Sequence, residues 1–322
     1  MDLVSALRSK IETLEEGDYT AGLRAVLLHI ETAFRHLSRG QENDDETAFT
    51  DAIYRTNQAF EGSIKEAYRV LAGKDPNRVR PFDIETYLET NAIFRTRVLT
   101  QFTTYRTEWR NPSAHDYKLD FDESEAFLAI ISVSAFGCLL LDQIAERLEF
   151  IKSKREADSD KVELQRRLSD SDGDLLKRTV EILTEFFLHH MVSSLSHRRT
   201  EIQTIGALSG FIATVAPDLQ VLSEERLVPD RPFRPDLLVA NASDRVLIEL
   251  KRSRFIKKNF HQAVAQVEHY MLVGEVKLAV LLFMPEEPGH LATSELEVRA
   301  IDGRIAILQP PDAEQIVGPE RG

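Results

Sequence analysis

Cysteine is almost absent from this chain. Cys138 is the only one among 322 residues, which excludes an internal disulfide framework and fits a reducing cytoplasm. No secretory leader is expected either, because Met1-Asp2-Leu3 is not followed by a basic segment running into an apolar core. Long apolar runs are scarce. The uncharged stretch 126–141, AFLAIISVSAFGCLLL, is shorter than the ~20 residues of a spanning helix and is flanked by Glu125 and Asp142. It reads as a buried core helix, and no membrane association is expected. Positive charge is in deficit too: a formal net charge of −13 excludes a protein that coats nucleic acid non-specifically, since lysine and arginine dominate phosphate binding. No internal repeat is evident.

The residues that are present describe a soluble, globular chain of two domains. A hydrophobic share of 43% against 29% charged residues gives no case for global disorder, and the length suffices for two separate cores. Residues 1–155 read as helical almost throughout. Segments 20–38, 46–72 and 84–108 place apolar residues three and four apart, as in Ala52, Ile53, Phe60, Ile64 and Tyr68. Asp122-Glu123-Ser124-Glu125 forms an acidic helix start, and the helix it opens is expected to run to about Phe150. The charged, serine-bearing stretch 156–174 reads as a linker, with SDSDGD as its flexible part.

Residues 175–322 form the second expected domain. Helices are predicted at 175–195, 200–215 and 256–273, and strands at 219–222, 237–240, 245–249, 277–284 and 304–310. The fold class is therefore α+β: an all-helical bundle followed by a mixed sheet flanked by helices.

Chemistry concentrates in RPDLLVANASDRVLIELKRSR, residues 234–254. Asn241-Ala242-Ser243-Asp244 is a polar turn between apolar runs, so an antiparallel hairpin is predicted, folded about Ser243 with Asp236 opposite Leu250. Glu249 and Lys251, two residues apart, share one sheet face, while Val246, Ile248 and Leu250 take the other. Two carboxylates, Asp236 and Glu249, could hold Mg²⁺ or Mn²⁺, and Lys251 could orient water or stabilise phosphate charge. Surface charge on a plain hairpin is the competing interpretation. Lys251, Arg252, Arg254, Lys257 and Lys258 form a local basic cluster, and His197, Arg198 and Arg199 a second. In the following helix Gln262, Gln266 and Tyr270 recur every fourth residue on one face.

With these residues in place, the stretch 175–310 resembles the PD-(D/E)XK nuclease superfamily, whose restriction-endonuclease-like core is a mixed sheet between helices. Gln266 to Tyr270 is similar to the QxxxY element of its RecB-like branch. The resemblance implies a metal-dependent phosphodiesterase, DNA being the expected substrate, with a further acidic residue from an upstream helix. Glu201 is the candidate, with Glu185 and Glu181 as alternatives. It implies metal ligands Asp236, Glu249 and Glu201, and supporting roles for Lys251, Gln266 and Tyr270.

A second constellation is Glu108-Trp109-Arg110-Asn111-Pro112-Ser113-Ala114-His115. Asn111 can cap a helix that has Pro112 at its first position, which is a purely structural reading. Chemically, histidine suits proton transfer near neutral pH and arginine suits phosphate charge, so Arg110 and His115 could promote attack of a ribose 2′-OH without a metal. This stretch resembles the HEPN superfamily, whose ribonuclease members carry R-x(4–6)-H with a polar residue after the arginine, here Arg110, Asn111 and His115. That resemblance implies a helical bundle, a homodimer and metal-free RNA cleavage, and the pairing of such a bundle with a PD-(D/E)XK nuclease resembles prokaryotic defence effectors. Two alternatives stand beside the nuclease pair: a HEPN ribonuclease whose nuclease-like domain only binds nucleic acid, and a non-catalytic adaptor.

Overall fold

The computed structural model describes residues 2–115, 120–168, 174–190, 199–229, 231–252, 256–285 and 289–311, with side chains at all of these except 115, 189–190 and 256–258. The chain divides into two compact units, Met1–Leu148 and Glu149–Gly322. The division falls inside a helix. It precedes the charged stretch 156–174 that the sequence marks as a linker.

The first unit holds α1 (Leu3–Glu12), α2 (Thr20–Asn43), α3 (Thr47–Val70), α4 (Pro81–Thr90), α5 (Thr96–Tyr105), a π turn (Arg106–Arg110), α6 (Asn111–His115) and the first part of α7 (Glu123–Ser159). The start of α7 is secured by a reciprocal pair: Glu125 donates its backbone N–H to Asp122 Oδ1 at 2.8 Å, and Asp122 donates to Glu125 Oε2 at 2.9 Å. By length and composition α7 could cross a membrane. Its apolar face is instead buried, with Ala129, Ile130, Val133, Phe136 and Leu140 inside the bundle. A central stack of Phe60, Phe102, Tyr105 and Phe136 fills that core.

The helix expected over 84–108 is broken. Ala92 adopts a left-handed φ of 49°, and Ile93 donates back to the Leu88 carbonyl at 3.0 Å, which closes α4 as a Schellman turn. Glycine usually marks that position, so an alanine left no signal. The helix opened at Asp122 also outruns its expected end at Phe150 and reaches Ser159. After a turn at Asp160, α8 (Lys161–Leu168) buries Leu164, so residues 156–159 and 161–168 of the supposed linker are helical. The remainder, 169–173, lies outside the described residues.

The second unit continues with α9 (Leu175–Glu185), a π turn (Phe186–His190), α10 (Glu201–Val215), β1 (Gln220–Ser223), β2 (Leu237–Ala240), β3 (Arg245–Arg252), α11 (Ile256–Gly274), β4 (Leu278–Met284), β5 (Ala292–Val298) and β6 (Gly303–Gln309). One six-stranded sheet runs β1-β2-β3-β4-β6-β5. Its β3-β4 and β4-β6 pairs are parallel, and β1-β2, β2-β3 and β5-β6 are antiparallel. The expected mixed sheet between helices is therefore observed. Alternation along the strands makes two cores: Val246, Ile248 and Leu250 pack with α8, α9 and α10, whereas Leu247, Leu281 and Phe283 pack with α11. Strand β5 carries no apolar alternation in the sequence, because five successive residues, 293–297, are exposed on an edge.

Candidate active site

The hairpin register differs from the one predicted. Leu237 pairs with Ile248 and Ala240 with Arg245, so the fold axis lies between Ala242 and Ser243 rather than on Ser243. The turn explains the half-residue shift: Asn241 Oδ1 accepts the backbone N–H groups of Ser243 (2.9 Å) and Asp244 (2.7 Å), while the Asn241 N–H donates to the Asp244 carbonyl at 3.0 Å. Extended one residue beyond β2, this register sets Asp236 across from Glu249 instead of Leu250. A one-residue slip reverses every side chain. The observed pairing is the one that puts Asp236 on the face of Glu249 and Lys251.

That face lies under α11. Glu249 is 4% exposed, and its Oε1 accepts from Lys251 Nζ at 2.6 Å and from Gln266 Nε2 at 2.8 Å. Gln266 Nε2 also lies 3.0 Å from the Tyr270 hydroxyl, so the four-residue spacing on α11 brings both side chains into the site. Glu249 Oε2 is buried without a well-formed hydrogen bond. Asp236 Oδ2 accepts the Leu250 N–H at 2.6 Å, which fixes its carboxylate at the strand end.

Electrostatically the site is short of positive charge. Burial, then the Glu249 charge, raises the Asp236 carboxyl to about 8, with Glu201 adding to the rise while the Leu250 N–H and Lys251 oppose it. Glu249 is likewise raised by burial, against the lowering influence of Lys251 and the Asp236 backbone. Burial alone would lower Lys251, yet Glu249, Asp236 and Glu201 together hold it above its ordinary value. Two buried carboxylates sharing one ammonium behave as a unit in proton uptake. Glu201, the first residue of α10, acts on all three through its charge.

No set of three or more His, Cys, Asp or Glu side chains converges as a metal cluster among the described residues. The alternatives to Glu201 are engaged elsewhere, Glu181 with Lys177 and Glu185 with Arg167. The donor set fits a hard divalent cation nonetheless: two carboxylates share one sheet face, an oxygen of Glu249 is buried without a hydrogen bond, and burial raises both carboxyls. Of the basic clusters, Arg252 is exposed beside the site, and Arg199 pairs with Glu149 at 3.2 Å within the second unit. His197, Arg198 and Arg254 lie outside the described residues, as do the side chains of Lys257 and Lys258.

Family models, curated proteins and solved structures give no match to the chain.

The arginine–histidine stretch takes a different form from the one expected. Asn111 does not cap a helix: its backbone is helical, and its N–H donates to the Arg106 carbonyl across a π turn. Pro112 has no N–H to continue an α ladder and would crowd the carbonyl four residues back, which the wider turn relieves. Arg110 donates to Asn111 Oδ1 at 3.1 Å and lies 3.8 Å from Glu85 Oε1. Glu85, 3% exposed, was not singled out from sequence, because it sits among the apolar positions of α4 with no local cue. Burial raises its carboxyl, while Arg110 and Arg106 pull it down. His115 ends α6, and its side chain lies outside the described residues.

Proposed function

We propose that the second unit is a metal-dependent phosphodiester hydrolase of the PD-(D/E)XK kind, acting on DNA. The observation that carries this reading is the part-buried cluster of Asp236, Lys251, Gln266 and Tyr270 around the buried Glu249, with its unpartnered carboxylate oxygen. Mg²⁺ or Mn²⁺ bound by Asp236 and Glu249, with Glu201 contributing charge, would supply a water of lowered pKa and neutralise the phosphate. Lys251 supplies a fixed ammonium for the attacking water or the developing phosphorane charge. Gln266, backed by Tyr270, holds Glu249 Oε1 and so leaves Oε2 for the cation. The Leu250 N–H aims the Asp236 carboxylate.

In the same reading the first unit is a HEPN-like bundle that joins two copies and contributes Arg110, Asn111 and His115 to a metal-free ribonuclease site. The whole would be a cytoplasmic effector of prokaryotic defence. A second reading, a HEPN ribonuclease with a nuclease-like unit that binds nucleic acid without cutting it, is favoured by one fact: no third carboxylate completes a metal cluster among the described residues. Labelled DNA and RNA incubated with Mg²⁺ or EDTA separate the two. The first predicts EDTA-sensitive DNA cutting that falls about 100-fold or more in Asp236→Ala and Lys251→Ala; the second predicts RNA cutting in EDTA that His115→Ala abolishes. Absence of cleavage under every condition would leave the adaptor.

A further inference from the structure

Between β1 and β2 the chain makes a long excursion whose ends are tied together, Glu224 donating to the Asp236 carbonyl at 3.2 Å and Leu227 to the Phe233 carbonyl at 3.1 Å. Leu227, partly buried, packs this loop against the core under α11, beside Gly274. Pro229, Pro232 and Pro235 restrict its backbone. At its return limb lies Phe233, between Arg231 and Arg234 in sequence and three residues before Asp236.

Phe233 is only partly covered. Its ring meets the exposed His269 edge to face at 4.8 Å and Tyr270 at 6.1 Å, and Tyr270 in turn touches Gln266. Phe233, on the loop that also delivers Asp236, thus joins His269 and Tyr270 of α11 in an aromatic cluster that is linked to Glu249 through Tyr270 and Gln266. An apolar anchor would need only bulk, and Leu227 already supplies that. Partly exposed aromatic rings offer what an unstacked base binds, a π face.

Resting on the phosphodiesterase reading above, we infer that Phe233 and His269 form a stacking site for an unpaired base next to the scissile phosphate, so that the substrate is single-stranded or locally melted nucleic acid. Duplex DNA does not present a free base face there, and a strand stripped of its bases loses the contact while keeping its phosphates.

The test uses the full chain carrying Lys251→Ala to suppress cutting, in Mg²⁺, with a short fluorescent single strand and an abasic strand of equal length. Phe233→Leu keeps an apolar side chain in the loop and is expected to weaken binding of the base-bearing strand about tenfold, leaving the abasic strand unchanged. Phe233→Tyr restores binding, and Phe233→Trp gains fluorescence quenched by the base-bearing strand alone. Equal loss on both strands makes Phe233 a loop anchor and overturns the inference, as does wild-type binding by Phe233→Leu. Either result leaves the phosphodiesterase reading standing if Asp236→Ala still abolishes Mg²⁺-dependent cutting in the parent chain. No Mg²⁺-dependent cutting in that parent overturns both.

Discussion

Asp236 carries a carboxyl where a charge is costly, and the cost sets a pH dependence. Its folded-state value is raised from 3.8 to about 8 by burial and by Glu249. Below about pH 4 it is protonated in the folded and unfolded chains alike. As pH climbs towards 8 the unfolded chain releases the proton while the folded chain retains it, so folding weakens across that window. Asp236→Asn, which keeps an acceptor for the Leu250 N–H, removes the penalty. In metal-free buffer at pH 8 it is expected to raise unfolding free energy by about 1–3 kcal/mol, with little effect at pH 4, as measured by urea titration. Added Mg²⁺ should stabilise the wild type and not this variant; equal Mg²⁺ effects would place the cation elsewhere. The residue types of this site were legible in the sequence, since spacing alone put Glu249 with Lys251 and Gln266 with Tyr270. Glu85 and Phe233 were not, because a buried glutamate in a helix and a phenylalanine in a loop carry no periodic signal.

At the scale of elements, pairing and close approach do what composition cannot announce. The Asn241 turn sets a register one residue away from the simplest folding of the sequence, and that shift brings Asp236 across from Glu249. The packing of α10 on the second part of α7 is equally exacting. A Cβ placed on Gly210 would stand 2.3 Å from the Phe150 carbonyl oxygen, and both residues belong to the second unit. Backbone cannot yield as a flexible side chain does. Gly210→Ala is therefore expected to destabilise that unit by about 3 kcal/mol in chemical denaturation, despite the better helix propensity of alanine; a stabilising result would mean that the helices can separate without loss. The π turn at Arg106–Arg110 belongs to the same class of feature. Pro112 hinted at an interruption, and only the three-dimensional ladder shows it as a widened turn that carries Arg110 towards Glu85.

For the whole molecule, the two units have separate cores, one built from the aromatic stack of the bundle and the other from the two faces of the sheet. The proposed dimer through the first unit predicts a sedimentation mass twice the 36.6 kDa of one chain, unaffected by Asp236→Ala; a monomer at all concentrations would remove the dimer from the functional reading. What the sequence by itself determined is the division into a helical part and an α+β part, the face shared by Glu249 and Lys251, and the helical stripe of Gln266 and Tyr270. These follow from periodicities of 3.6 and 2, which are local properties of the chain. The tertiary structure alone decided the register that delivers Asp236, the exposed edge strand β5, the burial of Leu164 on α8 and the electrostatic reach of Glu201. Each depends on which distant residues remove water from a group or complete its hydrogen bonds, and that is set when the cores close.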